Sequence, residues 1–116
     1  MTVISATALN DLMQGAGEWA LFDVRETGEA DRGHIRGATF LPRRMLEPRL
    51  AELVPDLATT VVFYDEGGPR AALAAEAAAR AGYRDARTLD GGLRAWESAG
   101  FVPVSGSNVV SKHFGE

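Results

Sequence analysis

The sequence predicts an α/β fold: one domain of three layers, a central parallel sheet with helices on both sides. Three observations carry this expectation. Val61-Val62-Phe63-Tyr64 is β-branched and aromatic without polar alternation, the pattern of a strand buried on both faces. After a short glycine-containing loop, Arg70 to Ala81 is nearly all strong helix former and is closed by Gly82, a suitable residue just past a helix end. Strand-like and helix-like segments then alternate along the chain, as they do where crossover helices join parallel strands. At 116 residues the chain is about one domain, long enough to bury most of a three-layer core.

In order, Val3-Ile4 is expected to form a short edge strand. Ser5 or Thr7 caps a helix running to about Met13 and ended by Gly15 and Gly17. Trp19 to Val24 is the next strand, Thr27 to Asp31 a single turn, and Ala38 to Leu41 a third strand closed by Pro42. A helix follows through the Arg43 to Leu53 region. Pro48 must start, kink or interrupt it, because proline removes an N–H and crowds the preceding turn. Strand Thr60 to Tyr64, helix Arg70 to Ala81, strand Ala86 to Leu89 and helix Leu93 to Ser98 complete the unit. Pro69 suits the first helical position, where its preset φ helps and its missing N–H is not needed. Gly91-Gly92 lets the last strand turn tightly into the last helix, and Trp96 and the Ala71 to Ala81 face read as core. The domain is expected to span residues 1–104. Residues 105–116 form a polar, linker-like tail in which Val109, Val110 and Phe114 are the apolar exceptions. An arm packed on its own domain or on a second copy is the alternative for that tail.

Sixteen acidic and twelve basic residues give a formal charge of -4, and the basic residues are scattered, which argues against a nucleic-acid groove. No stretch approaches the ~20 apolar residues of a membrane span. The start lacks the basic and apolar regions of a signal peptide, so a soluble, cytoplasmic protein is expected. The chain has no cysteine, which excludes disulfides and thiolate metal sites. No metal or cofactor is expected, and His113 has no ligand partner at useful spacing.

The candidate site is the loop Asp65-Glu66-Gly67-Gly68-Pro69-Arg70-Ala71. A strand, a tight loop and a helix N-terminus make an anion cradle there, because unpaired N–H groups and the positive end of the helix dipole converge. Gly67 and Gly68 supply backbone freedom. Asp23 and Arg25, at a strand end, are supporting scaffold, and His34, in a glycine-flanked turn, is framework. Arg43 and Arg44 are either a solvated helix start or guanidinium forks reaching toward Asp65 and Glu66. Arg70 is expected to tie loop carbonyls or Asp65 itself.

This loop resembles the active-site loop of rhodanese-type sulfurtransferases, in which a cysteine is followed by two variable residues, Gly, one variable residue and Arg. Gly68 and Arg70 match, and Asp65 stands at the position of the cysteine. Phe22-Asp23-Val24-Arg25-Glu26 and Gly33-His34-Ile35-Arg36-Gly37-Ala38 resemble two further signatures of that family. Leu89-Asp90-Gly91-Gly92-Leu93 with Trp96 and Ala99-Gly100 resembles its closing segment, so the likeness covers roughly residues 3 to 104. The ending Ser111-Lys112-His113-Phe114-Gly115-Glu116 is similar to the connector after a repeat in multi-domain members, although no internal repeat is present.

The resemblance implies a rhodanese-like fold and a thiolate that attacks a sulfane-sulfur donor, holds a persulfide and passes on the outer sulfur, helped by the loop N–H groups. Asp65 preserves the negative charge but offers no sulfur for the S–S bond. Three readings follow. The first is a domain inactive in sulfur transfer, with Asp65 as a built-in anion accepting N–H bonds from residues such as Gly67, Gly68, Arg70 or Ala71, and Glu66 repelling anionic donors so that small anions bind weakly. The second is an enzyme of another class, with Asp65 as carboxylate nucleophile for phosphoryl or acyl transfer and Asp23 and Glu26 as acidic ligands by type only. The third, compatible with the first, is a binding or regulatory module whose partner is another rhodanese domain or a different protein.

Overall fold

A computed structural model describes residues 2–26, 28–29 and 33–105. Most of the turn expected over Thr27 to Asp31, and the tail from residue 106 onward, lie outside the described residues. Five strands, β1 (Thr2–Ile4), β2 (Trp19–Asp23), β3 (Thr39–Phe40), β4 (Thr60–Tyr64) and β5 (Ala86–Leu89), form one sheet in the order β1-β5-β4-β2-β3. Every pairing is parallel. The helices are α1 (Ala6–Gln14), α2 (Leu46–Leu53), α3 (Arg70–Arg80) and α4 (Gly92–Ser98), with a 3-10 turn at Arg43–Met45 before α2.

Side-chain alternation along the two central strands splits the interior into two cores. Ala20, Phe22, Val61 and Phe63 face α2 and α3, where Leu46, Leu50, Ala74, Ala75 and Ala78 close over them. Leu21, Val62 and Tyr64 face the opposite side, against Leu9 of α1 and Leu93 and Trp96 of α4. Both faces of the sheet are thereby covered, which is why β4 carries no polar alternation. Small alanines on α3 let that helix lie close to the sheet, so Phe22 and Phe63 stack beneath it with ring centroids 5.5 Å apart.

The boundaries follow local chemistry. Ser5, not Thr7, caps α1, its side chain accepting the Ala8 N–H at 3.1 Å. The region expected as one helix over Arg43 to Leu53 divides instead. Arg43–Met45 is a 3-10 turn, and Pro48 falls in the first turn of α2, where its missing N–H leaves nothing unsatisfied. Pro69 sits one residue ahead of α3 and not within it, although its carbonyl accepts the Leu73 N–H at 3.1 Å. Gly82 (φ 108°) turns the chain out of α3, with the Tyr83 N–H returning to the Ala78 carbonyl at 3.1 Å. Past α4, Val104 pairs antiparallel with His34, so the packed unit reaches at least that residue.

Two constraints of this frame are directly testable. At Gly92 (φ 62°) a Cβ would lie 2.5 Å from both the Asp65 carbonyl oxygen and the Gly67 nitrogen, and neither backbone atom can move away. Gly92→Ala therefore costs about 3 kcal/mol or more in urea unfolding, whereas Gly17→Ala, with open space around the added methyl, changes stability by less than about 1 kcal/mol.

At the N-terminal edge of the sheet, Asp85 accepts hydrogen bonds from Arg87 Nε at 2.8 Å and from the Thr60 hydroxyl at 2.9 Å. The Arg87 bond, against the opposing effect of burial, holds the Asp85 carboxyl below its usual range. A depressed folded-state value stabilises above the unfolded carboxylate range and is lost as pH falls through the folded one. The wild-type advantage over Asp85→Asn in urea is thus constant from neutral pH to about pH 5 and shrinks below about pH 4, and it stays under about 1 kcal/mol because the pair is partly exposed.

Candidate anion-cradle site

The loop leaving the C-terminal end of β4 puts Asp65 beneath the N-terminus of α3, with only 2% of its surface exposed. Its Oδ1 accepts the Gly67 N–H at 2.7 Å and the Gly68 N–H at 3.0 Å, while Oδ2 accepts the Ala71 N–H at 2.9 Å. Pro69 has no N–H to offer, so the donors skip from Gly68 to the first turn of the helix. Gly67 reaches this geometry at φ 122°, a conformation open to glycine, and passes close to the Gly91 carbonyl. From the other side, the Leu93 N–H donates to the Asp65 carbonyl at 2.8 Å, tying the start of α4 to the same residue.

Below the loop lies a second group of charges. Asp23 is fully buried and Arg25 is 2% exposed. Arg25 engages Asp23 twice, Nε to Oδ1 at 2.9 Å and Nη2 to Oδ2 at 2.6 Å, and also donates to the Gly33 carbonyl at 2.6 Å. Its remaining arm reaches Glu66 Oε2 at 2.6 Å. The Tyr64 hydroxyl completes the arrangement, donating to Asp23 Oδ2 at 2.9 Å while accepting the Ile35 N–H at 3.0 Å. Burial works against the Arg25 charge, but its hydrogen bonds to Asp23 and the carboxylate's charge outweigh that, leaving the guanidinium more firmly protonated than usual. Burial and the Asp23 charge push the Tyr64 hydroxyl well above its ordinary range, so it remains a proton donor.

The expectation for Arg70 is overturned, and of the two readings of Arg43 and Arg44 the helix start away from the loop stands. Arg70 ties neither a loop carbonyl nor Asp65. Its guanidinium points to Glu29, Nη1 to Oε1 at 3.1 Å, while the Asp65 oxygens accept backbone donors. That hydrogen bond lowers the Glu29 carboxyl below its usual value and raises Arg70. Arg43 and Arg44 do not reach the loop either. Arg43 pairs with Glu47 one helical turn on at 3.0 Å, and Arg44 with Glu26 at 3.2 Å. Arg25 is the guanidinium that meets Glu66, and Asp23 and Glu26 are therefore each engaged by an arginine.

The mouth above the loop is a cavity of about 290 Å³ lined by Arg25, Glu29, Glu66, Glu97 and Leu93 among others. Among the described residues, three carboxylates and one cation, Arg25, line this space; Arg25 is paired with Glu66, and Glu29 with Arg70 beside it. Sequence reasoning missed Glu29, Glu97 and the bridging hydroxyl of Tyr64. Glu97 lies on α4, whose approach to the loop depends on tertiary packing, and Tyr64 reads as core from its apolar neighbours. Among the described residues no group of three or more His, Asp or Glu side chains is placed to hold a metal ion.

A parallel α/β domain with a tight loop closed around Asp65 at the C-terminal end of its central strand is the class that fold and loop define. Residues 5–99 match the family model described as a rhodanese-like domain, and the chain belongs to that family. It is 37% identical over 97 residues to the probable adenylyltransferase/sulfurtransferase MoeZ of Mycobacterium tuberculosis, covering 82% of this chain and 24% of that protein. An HTH-type transcriptional regulator of the same organism is 38% identical over 96 residues, covering 81% of this chain and 41% of the regulator. The chain spans less than half the length of these relatives. Among solved structures, thiosulfate sulfurtransferase from Pseudomonas aeruginosa superposes with a TM-score of 0.88 at 33% identity, over 94% of this chain and 21% of that one.

The buried pair generates a prediction of its own. Arg25→Met leaves the Asp23 carboxylate buried with only the Tyr64 hydroxyl and the Arg25 backbone N–H as partners, and costs about 3–5 kcal/mol in denaturant unfolding. Glu66→Gln, removing the partly exposed end of the chain of charges, costs about 1 kcal/mol or less.

Proposed function

We propose that this rhodanese-like domain does not turn over sulfane sulfur and acts as a binding or regulatory module, its cradle filled by its own Asp65. The observation that carries the reading is the set of three backbone donors, Gly67, Gly68 and Ala71, all spent on the Asp65 carboxylate. Covalent sulfur relay needs an atom that can form and break an S–S bond, and a chain with no cysteine has no thiolate for it. The acidic mouth formed by Glu29, Glu66 and Glu97 adds repulsion toward thiosulfate and similar anions. The partner proposed is another rhodanese domain or a different protein. Support comes from the relatives, a probable adenylyltransferase/sulfurtransferase and a transcriptional regulator, each much longer than the stretch shared with this chain. A carboxylate nucleophile at Asp65 is disfavoured, because each oxygen already accepts a backbone hydrogen bond and the residue is almost fully covered.

Thermal melts with and without sulfate or thiosulfate test the filled cradle. The wild-type melting temperature does not move with millimolar anion. Asp65→Ala melts lower and is restored by either anion, since a ligand binding only the folded state stabilises it. An anion-dependent rise in the wild type would overturn the reading. In parallel, cyanide-dependent thiocyanate release from thiosulfate is absent in the wild type, and a modest rate is expected on Asp65→Cys.

A further inference from the structure

The structure holds a second cavity, of about 520 Å³, between α1, α4 and the Arg36-Gly37 turn, away from the cradle loop. Its walls are aromatic and aliphatic. Trp19, Trp96, Phe101 and Met13 line it, and Val102 stands at the rim with 83% of its surface exposed. Trp96 and Phe101 pack ring on ring at 4.4 Å, making one wall rigid. Gly37 (φ 93°) brings the opposite turn down onto Trp19, where an added Cβ would sit 3.3 Å from the ring. Among the described residues the lining contains one charged side chain, Arg36, which is exposed and whose guanidinium pairs with no carboxylate of those residues.

From this geometry we infer a binding site for a small, flat monocarboxylic acid, its apolar body against Trp19, Trp96 and Phe101 and its carboxylate on Arg36. The volume falls in the range of small-molecule pockets, which are apolar with a few polar groups that fix orientation. An open apolar surface of this kind is a cost unless something covers it. Charge decides the class of ligand. A guanidinium beside aromatic walls, with no acidic residue among the described residues of the lining, complements one negative charge and offers a carboxylate two parallel donors. Asn10 and Gln14, also in the lining, add hydrogen-bonding capacity but no competing charge.

The chain has two tryptophans and both line this cavity, so their indole N–H signals report on it alone. Titration of the whole protein with 2-naphthoate, followed by those two NMR signals and by calorimetry, shows saturable shifts with a Kd of about 1 mM or tighter. Arg36→Gln, a surface change that leaves the fold intact, weakens binding about fivefold. Val102→Asp weakens it further by placing a carboxylate at the rim, and the neutral analogue 2-naphthalenemethanol binds the wild type more weakly than the acid. The inference is overturned by the absence of saturable indole shifts up to about 10 mM, or by equal binding of naphthoate to the wild type and Arg36→Gln.

Discussion

Three backbone N–H groups converge on one point, and the rest of this site is arranged around satisfying them. A strand that ends under a helix N-terminus leaves amide donors without intrahelical partners, and a buried donor left unmatched costs about 1–3 kcal/mol. Asp65 answers Gly67, Gly68 and Ala71 with a single carboxylate. Other features of the region follow from that choice. Gly67 takes a positive φ so that its N–H can turn inward, and Gly92 must lack a side chain because the loop's backbone occupies the space where one would go. Arg70 faces Glu29 instead, while the Asp65 carboxylate is held by backbone donors.

The charges beneath the loop are a separate device with a different logic. Asp23 and Arg25 lie two residues apart at the end of β2, one fully buried and the other nearly so. Such a pair contributes less than its short distances suggest, because both ions were taken out of water. What it does supply is geometry. Arg25 holds the Gly33 carbonyl with one nitrogen and Glu66 with another, and Asp23 orients the Tyr64 hydroxyl toward the Ile35 N–H. Segments that are far apart in the chain are thereby fixed relative to the cradle by one continuous set of charge-assisted bonds.

The sequence made the layered fold legible wherever a residue's role was local. The apolar run of β4, the alanines of α3 and the glycine that closes it are read from propensity and pattern, and each stands where the pattern puts it. The break between the 3-10 turn and α2 was less legible, because Pro48 signals an interruption without fixing its side. Long-range pairing was the least legible. Arg70 with Glu29 and Arg25 with Glu66 each join residues 41 positions apart. An arginine's partner depends on which carboxylates the fold leaves unoccupied, and spacing in the chain does not encode that. Arg44 illustrates the point, pairing 18 residues back with Glu26 and turning away from the loop that lies ahead of it.

The identity of the residue at position 65 is itself informative about what the loop retains. Alanine there would leave three buried donors unmatched, and the loop would relax or recruit an ion from solution. A carboxylate keeps all three donors occupied and the loop in shape. Because it is tethered, its effective concentration in the cradle far exceeds that of any anion in solution, in the way a linked binding group outcompetes a free one. Release would require the loop to open, since the side chain is held by the Gly67, Gly68 and Ala71 N–H groups while the Leu93 N–H holds the backbone carbonyl of the same residue. The Asp65 side chain is therefore packed as part of the core. Open space among the described residues lies elsewhere, at the mouth above the loop and in the aromatic cavity on the α1 and α4 side.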